Sequence, residues 1–375
     1  MSWVLAFAGF AALIILHEAG HFTAAKAVGM RVERFMLFFP PILAKVRRGE
    51  TEYGIGAVPL GGYVKITGMT PHEELTPEVA PRAYLNMPVW KRVVVIAAGP
   101  FVNVVIAFLI IWALFLANGI AHPAIKVDQV QGGTAAAAVL QPGDRVLSVD
   151  GKPGYAPGLS DAETTRRQRE LRAQVATHTC AGTPVGGCRA TTPATVVVER
   201  DGRRVTERIA PRYSPGQNGQ KGAMLLGFVY GTRSEGVGPI HAAGETFSVM
   251  GRVTSVTAKS IVRIFYDDRA RSEVSGVVGS YEATRQSIEF STAQALWILA
   301  LISLSLAIIN LFPFLPLDGG HIFWALAEKV RGRPIPFRII ERASVVGFLL
   351  VAFLFVVGLS NDLGRLGGEG FGVSR

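Results

Sequence analysis

Leu13-Ile14-Ile15-Leu16-His17-Glu18-Ala19-Gly20-His21-Phe22 places two histidines and a glutamate after a run from Met1 that holds no charged residue. On a helix, residues four apart lie one turn above each other on the same face. His17 and His21 can therefore hold one metal ion with Glu18 beside it. The spacing is that of zinc hydrolases, while the aliphatic run is that of a helix buried in lipid. Together they predict hydrolysis inside a membrane or at its edge.

Working outward, 49% of the residues are hydrophobic and they cluster in long blocks, which points to a polytopic α-helical membrane protein. The formal net charge of +10 raises the question of a nucleic-acid partner. No basic helix with interleaved aromatics supports one, so no nucleic acid is expected and the charge reads as topology. Four apolar segments approach the length of about 20 residues that a spanning helix needs. They are residues 1–29, 93–117, 291–317 and 342–360. A secretory signal peptide is the rival reading of the first, but no Lys or Arg precedes its apolar run.

Lys and Arg orient the spans, because cytoplasmic loops carry their excess. Residues 30–92 hold Arg31, Arg34, Lys45, Arg47, Arg48, Lys65, Arg82, Lys91 and Arg92, and residues 318–341 hold Lys329, Arg331, Arg333 and Arg338. Both are expected in the cytoplasm. Both termini, including the tail 361–375, and the large domain after the second span are then outside. The first and third spans cross in the same direction, so His17, His21 and Asp318 reach a similar depth near the cytoplasmic side. Asp318 follows Pro313 and Pro316, which break the helix and free backbone groups that lipid cannot satisfy. A carboxylate there is a candidate third ligand; a helix N-cap is its alternative role, and His321 is a rival ligand.

The His17-to-His21 run, Leu317-Asp318-Gly319-Gly320 and Gly99-Pro100-Phe101-Val102-Asn103 between them resemble the site-2-protease family of intramembrane zinc metalloproteases. The likeness is to the bacterial RseP-type branch, in particular to single-PDZ, actinobacterial-like members. It implies one zinc ion per chain held by His17, His21 and Asp318, with Glu18 as the catalytic glutamate. It also implies that Asn310 and Asn103 hold substrate near the metal; hydrogen bonding between helices is the structural alternative for both.

Residues 49–69 alternate apolar and polar around a Pro59-to-Gly62 turn, which predicts a β-hairpin. Its exposed edge could pair with an extended peptide, with Gly61, Gly62 and Tyr63 as the substrate-binding candidates. The resemblance implies that this hairpin re-enters the membrane from the cytoplasmic side; a soluble hairpin over the cytoplasmic mouth is the other reading. Residues 118–233 are expected to form one extracytoplasmic PDZ domain (α+β). Pro142-Gly143-Asp144, Asp150-Gly151 and Asp201-Gly202 are its turns, and residues 155–193 an insertion. Cys180 and Cys188 lie in that insertion and are expected to pair on an oxidising side; two free thiols are the alternative. Gly238 to Phe265 carry apolar residues at near-helical spacing, and residues 234–290 read as an extracytoplasmic amphipathic, interfacial helix region.

The expected activity is zinc-dependent hydrolysis of peptide bonds in or near the single span of membrane proteins, in the bacterial cytoplasmic membrane. Anti-sigma factors after a first cleavage and signal-peptide remnants are the substrate types the resemblance implies. Lipid is the other partner, and nothing in the sequence speaks to an oligomer. The alternative is a membrane-anchored PDZ adaptor without proteolysis, which would have no need of His17, Glu18, His21 and Asp318 together.

Overall fold

The computed structural model describes residues 2–70, 73–215, 222–267, 270–271 and 276–367. In chain order the elements are α1 (Ser2–Ala27), β1 (Val32–Arg48), β2 (Thr51–Ile66), α2 (Val89–Asn118), β3 (Ile120–Val130), β4 (Arg145–Val149), β5 (Lys152–Pro153), α3 (Asp161–Ala176), β6 (Ala194–Arg200), β7 (Arg203–Ile209), β8 (Arg212–Ser214), β9 (Ala223–Leu225), β10 (Phe228–Glu235), α4 (Pro239–Arg263), α5 (Val277–Phe290), α6 (Thr292–Asn310), α7 (Asp318–Arg331) and α8 (Phe337–Gly367). They form two compact units, one from residues 1–115 with 239–375 and the other from 116–238.

In the first unit, among the described residues, α1, α2, α6 and the bulk of α8 are long and apolar enough to cross a membrane. Lipid tails give two such helices no hydrophobic reason to associate, so close packing of small residues must do it. The buried stripe of α1, Ala6, Leu13, His17, Gly20, His21 and Ala25, is built this way. At Gly20 a Cβ would stand 2.6 Å from the Ala98 carbonyl oxygen of α2. Farther along α2, Ala107 and Ile111 pack with Met250 of α4 and with Ala300 and Leu304 of α6. The break expected at the prolines falls at residues 311–317, between α6 and α7. Helix α8 runs to Gly367, so the first residues of the expected tail are helical, and 368–375 lie outside the described residues. Near its end the buried Asp362 accepts hydrogen bonds from the backbone N–H of Gly276 (3.1 Å) and Gly279 (2.8 Å), which fixes the start of α5. Ser275, which precedes Gly276, lies outside the described residues.

The hairpin is larger than its sequence reading. The connection of β1 to β2 turns at Gly49-Glu50, with Arg48 opposite Thr51, and β2 itself reverses direction between residues 55 and 62, the stretch that holds Pro59–Gly62. Strand β1 folds back on itself in the same way, so a segment of β1 lies between the two arms of β2. Residues 34–37 therefore pair with 52–55 on one side and with 62–65 on the other, while 44–48 pair with the outer side of 51–55. This makes a narrow sheet whose two edges are 42–48 and 58–66. Its base packs on α1 and α2 through Met30, Val32, Ile66, Tyr84, Val95 and Ile96. Glu50 ties the turn down by accepting from both Arg82 terminal nitrogens (2.8 Å each) and from Lys26 Nζ at the end of α1 (2.6 Å). The far end reaches back along α1, where the Phe38 ring lies 5.9 Å from that of Phe7.

The second unit is a sheet in the order β10-β3-β4-β6-β7, with β5 paired to β4 and β8 to β9 apart from it. Asp150-Gly151 and Asp201-Gly202 take positive φ (46° and 79°, 50° and 75°), the conformation that two-residue hairpins require. Ile125, Val127, Val146, Val149, Val196, Val198 and Ile209 fill the core under α3. Each such buried aliphatic side chain contributes about 1.5–3 kcal/mol. Helix α3 occupies much of the expected insertion at 155–193: Leu171 and Val175, one turn apart, belong to the core, and Ser160 caps the helix. In the loop after Ala176, Cys180 and Cys188 are joined by a disulfide with their Cα atoms 6.2 Å apart. The sequence conceals α3 because its apolar stripe is narrow and four arginines surround it.

Candidate metal centre

The helical spacing of His17 and His21 turns both rings to the same side of α1. Their Nε2 atoms stand 3.3 Å apart. Asp318, the first residue of α7, brings Oδ2 to 3.4 Å from His17 Nε2 and 3.3 Å from His21 Nε2. The N-cap position of α7 belongs to Leu317, so the Asp318 carboxylate is not spent on capping. That oxygen is buried without a hydrogen-bond partner among the described residues.

These three edges can be tested against a metal. Ligand atoms at about 2.05 Å from a tetrahedral zinc ion lie roughly 3.3 Å from one another. The observed triangle has that size, its donors are two imidazoles and a carboxylate, and the set could hold one ion with the fourth position open. His321, one turn into α7, is not part of the group. Glu18 follows His17 in α1, with His21, His17 and Asp318 as its titratable neighbours.

Helix α2 lies against both histidines. His21 Nδ1 is 2.9 Å from the Val95 carbonyl oxygen, and His17 Nδ1 is 3.1 Å from Asn103 Nδ2. Between them Gly99 leaves the gap that the His21 ring fills, since a Cβ there would stand 2.2 Å from His21 Nε2. Pro100 next to it has no N–H for the helical ladder. Asn103 is fully buried, and its backbone oxygen accepts from Ser303 Oγ of α6 at 2.9 Å. Asn310 ends α6, half-buried, before the break that leads to Asp318. On the other side of Glu18 runs the inner edge of β2. A Cβ at Gly62 would stand 2.9 Å from Glu18 Cγ, and the Tyr63 ring stacks on Phe39 with centroids 6.1 Å apart. Gly61 packs against the same phenylalanine.

A model of Peptidase family M50 matches residues 5–354. The chain belongs to this family. It is 33% identical to zinc metalloprotease Rip1 of Mycobacterium tuberculosis, over 92% of this chain and 91% of that one. A putative zinc metalloprotease of Rhizobium meliloti is 30% identical over 95% and 94%, and one of a Nostoc species is 30% identical over 94% and 93%. This M50 peptidase is therefore a zinc metalloprotease of the site-2 type, a membrane protein built on apolar helices. Reading the residues alone did not reveal Val95, Ser303 or the purpose of Gly99. Gly99 appeared only as part of a motif, and a carbonyl acceptor leaves no mark on the residue type that bears it.

Proposed function

We propose that His17, His21 and Asp318 hold one zinc ion, and that Glu18 is the general base of an endopeptidase acting on membrane-spanning substrates. The observation that carries this reading is the 3.3–3.4 Å triangle beside a carboxylate. Zinc in such a site lowers the pKa of a water to about 7 and polarises a carbonyl group. Glu18 takes a proton from the attacking water and passes it to the departing amide nitrogen. The substrate must first be drawn out of helix, because its amides are otherwise bonded to one another. The free edge of β2 at Gly61, Gly62 and Tyr63 is suited to pairing with such an extended segment. Asn310, at the broken end of α6, is the further proposed substrate contact.

Depth in the membrane follows the same reasoning. The Phe7–Phe38 contact supports a hairpin that re-enters the bilayer, because Phe7 lies in the first half of a spanning helix. The arginine- and lysine-rich connections support a site toward the cytoplasm with both termini outside, and the Cys180–Cys188 bridge supports an oxidising environment for the second unit. In that unit the edge strand β10 lies beside α3, with the Arg172 guanidinium 5.6 Å above the Tyr230 ring, which supports a PDZ-like domain. Single-span proteins, such as anti-sigma factors after a first cut or signal-peptide remnants, are the proposed substrates.

The test uses purified full-length protein and a single-span reporter. One zinc per chain and cleavage are expected, and Glu18→Gln should stop cleavage by at least about a thousandfold while zinc stays bound. Cleavage that persists in this variant would overturn the role of Glu18. Asp318→Ala should release the metal, and zinc retained at wild-type affinity would remove Asp318 from the ligand set.

A further inference from the structure

We infer that Asn103 is a positioning residue for His17 and that its amide oxygen, not its nitrogen, faces the ring. The inference rests on His17 being a zinc ligand and goes beyond it. His17 meets His21 and Asp318 through Nε2. A ring that gives Nε2 to a metal carries its proton on Nδ1, where it must donate. The atom opposite, at 3.1 Å, is the Asn103 amide nitrogen, which also donates, while Asn103 Oδ1 is buried with no partner among the described residues. Oxygen and nitrogen of an amide are distinguished only by their bonding. Turning the amide over pairs the His17 N–H with Oδ1 and removes the clash of two donors.

The arrangement then repeats itself. His21 donates Nδ1–H to the Val95 carbonyl and His17 donates to Asn103, so both rings are oriented by α2, two turns apart. Ser303 of α6 bonds the Asn103 backbone and helps keep that residue in place. Asn103 is wholly buried behind His17, whereas a group that binds substrate must be reachable. A partner on the second nitrogen of a zinc histidine fixes the ring and raises its basicity, and its loss weakens metal binding about 10- to 100-fold.

Zinc affinity of the full-length protein in detergent, measured against a chelator without any substrate, tests this. Asn103→Leu keeps the shape and removes the acceptor, and its zinc dissociation constant should rise by about 10- to 100-fold. Asn103→Asp keeps an acceptor in place and should bind zinc at least as tightly as wild type. An unchanged zinc constant in Asn103→Leu, with KM for the reporter raised, would mean that Asn103 holds substrate and would overturn the inference. Weakened zinc binding in Asn103→Asp would overturn it too, and does not depend on the leucine variant folding. His17→Ala separates the two levels: zinc retained there refutes the ligand assignment itself, while zinc lost there but not in Asn103→Leu refutes only the tether.

Discussion

Arg92, near the start of α2, and Glu328, about three turns beyond Asp318 in α7, form a two-pronged ion pair with nitrogen–oxygen distances of 3.0 and 2.8 Å. The Arg92 side chain is 5% exposed and that of Glu328 26%. Helix α7 is joined to α6 by an irregular, proline-broken segment, against which Gly319 and Gly320 pack closely. The ion pair fastens the later part of α7 to α2, beyond the turn that carries Asp318. The helix that orients the histidines thereby also holds the helix that supplies the carboxylate.

Breaking a buried pair by removing one partner typically costs about 3 kcal/mol, because a charge is left without its counterpart. Glu328→Gln and Arg92→Met should therefore each lower reporter cleavage at least about tenfold and weaken zinc binding. Exchanging the two residues, Arg92→Glu with Glu328→Arg, should recover part of both. If the losses of the single variants simply add in the exchanged protein, the pair does not fasten α7.

Gly62 tests the other wall of the site. A side chain there would start 2.9 Å from Glu18 Cγ and 2.9 Å from the Met36 carbonyl oxygen, with no room to give on the backbone side. Gly62→Val should reduce cleavage about a hundredfold by displacing Glu18 or the strand edge, a loss of roughly 3 kcal/mol of transition-state stabilisation. Zinc content should not change, since no ligand is touched. Normal cleavage by this variant would show that β2 and Glu18 are not adjacent in the working enzyme.

The metal triangle was legible in the sequence for a physical reason. His17 and His21 declare themselves by helical spacing, and Asp318 by being a carboxylate at the end of an apolar span. What surrounds them was less legible. The amide of Asn103 is separated from His17 by most of two helices and the whole hairpin, so no local pattern links them. That the two arms of β2 around Pro59–Gly62 pair with residues 34–37 between them, and not with each other, depended on β1 folding back, a tertiary event. In α3 the charged residues outnumber the buried pair of Leu171 and Val175, and the helix was concealed within what read as an insertion.

Glu50 makes the hairpin sensitive to acid. Hydrogen bonds from Arg82, and then from Lys26, hold its carboxyl down at about 2, against an ordinary 4.5. A lowered folded-state pKa means that the stabilisation is complete above about pH 4.5 and is lost as pH falls toward 2. The carboxylate is 30% exposed, so solvent screening leaves about 1 kcal/mol of it. Glu50→Gln should raise protease sensitivity of residues 30–70 at neutral pH and make it insensitive to acidification in that window. A hairpin whose protection at pH 7 is unaltered by the substitution would show that Glu50 does not anchor it.

Asp144 should act the same way in the second unit, with a larger effect because its side chain is only 1% exposed. Burial alone would raise its pKa, but Arg200, bonded through Nε at 2.8 Å and Nη2 at 2.6 Å, outweighs burial, and the Gln141 N–H adds to the net lowering. The contribution is therefore present above the ordinary carboxylate value of 3.8 and disappears as pH drops below it. Since Pro142-Gly143-Asp144 leads into β4 while Arg200 ends β6, the pair locks the turn onto the sheet. Asp144→Asn should cost about 3 kcal/mol, as removal of one partner from a buried ion pair does. Hydrogen exchange on the full-length protein is the measurement: amides of residues 140–149 and 194–209 should exchange faster in the variant at pH 7, with the zinc content unchanged. Equal protection in variant and wild type would mean that the hydrogen bonds around the turn suffice without the charge.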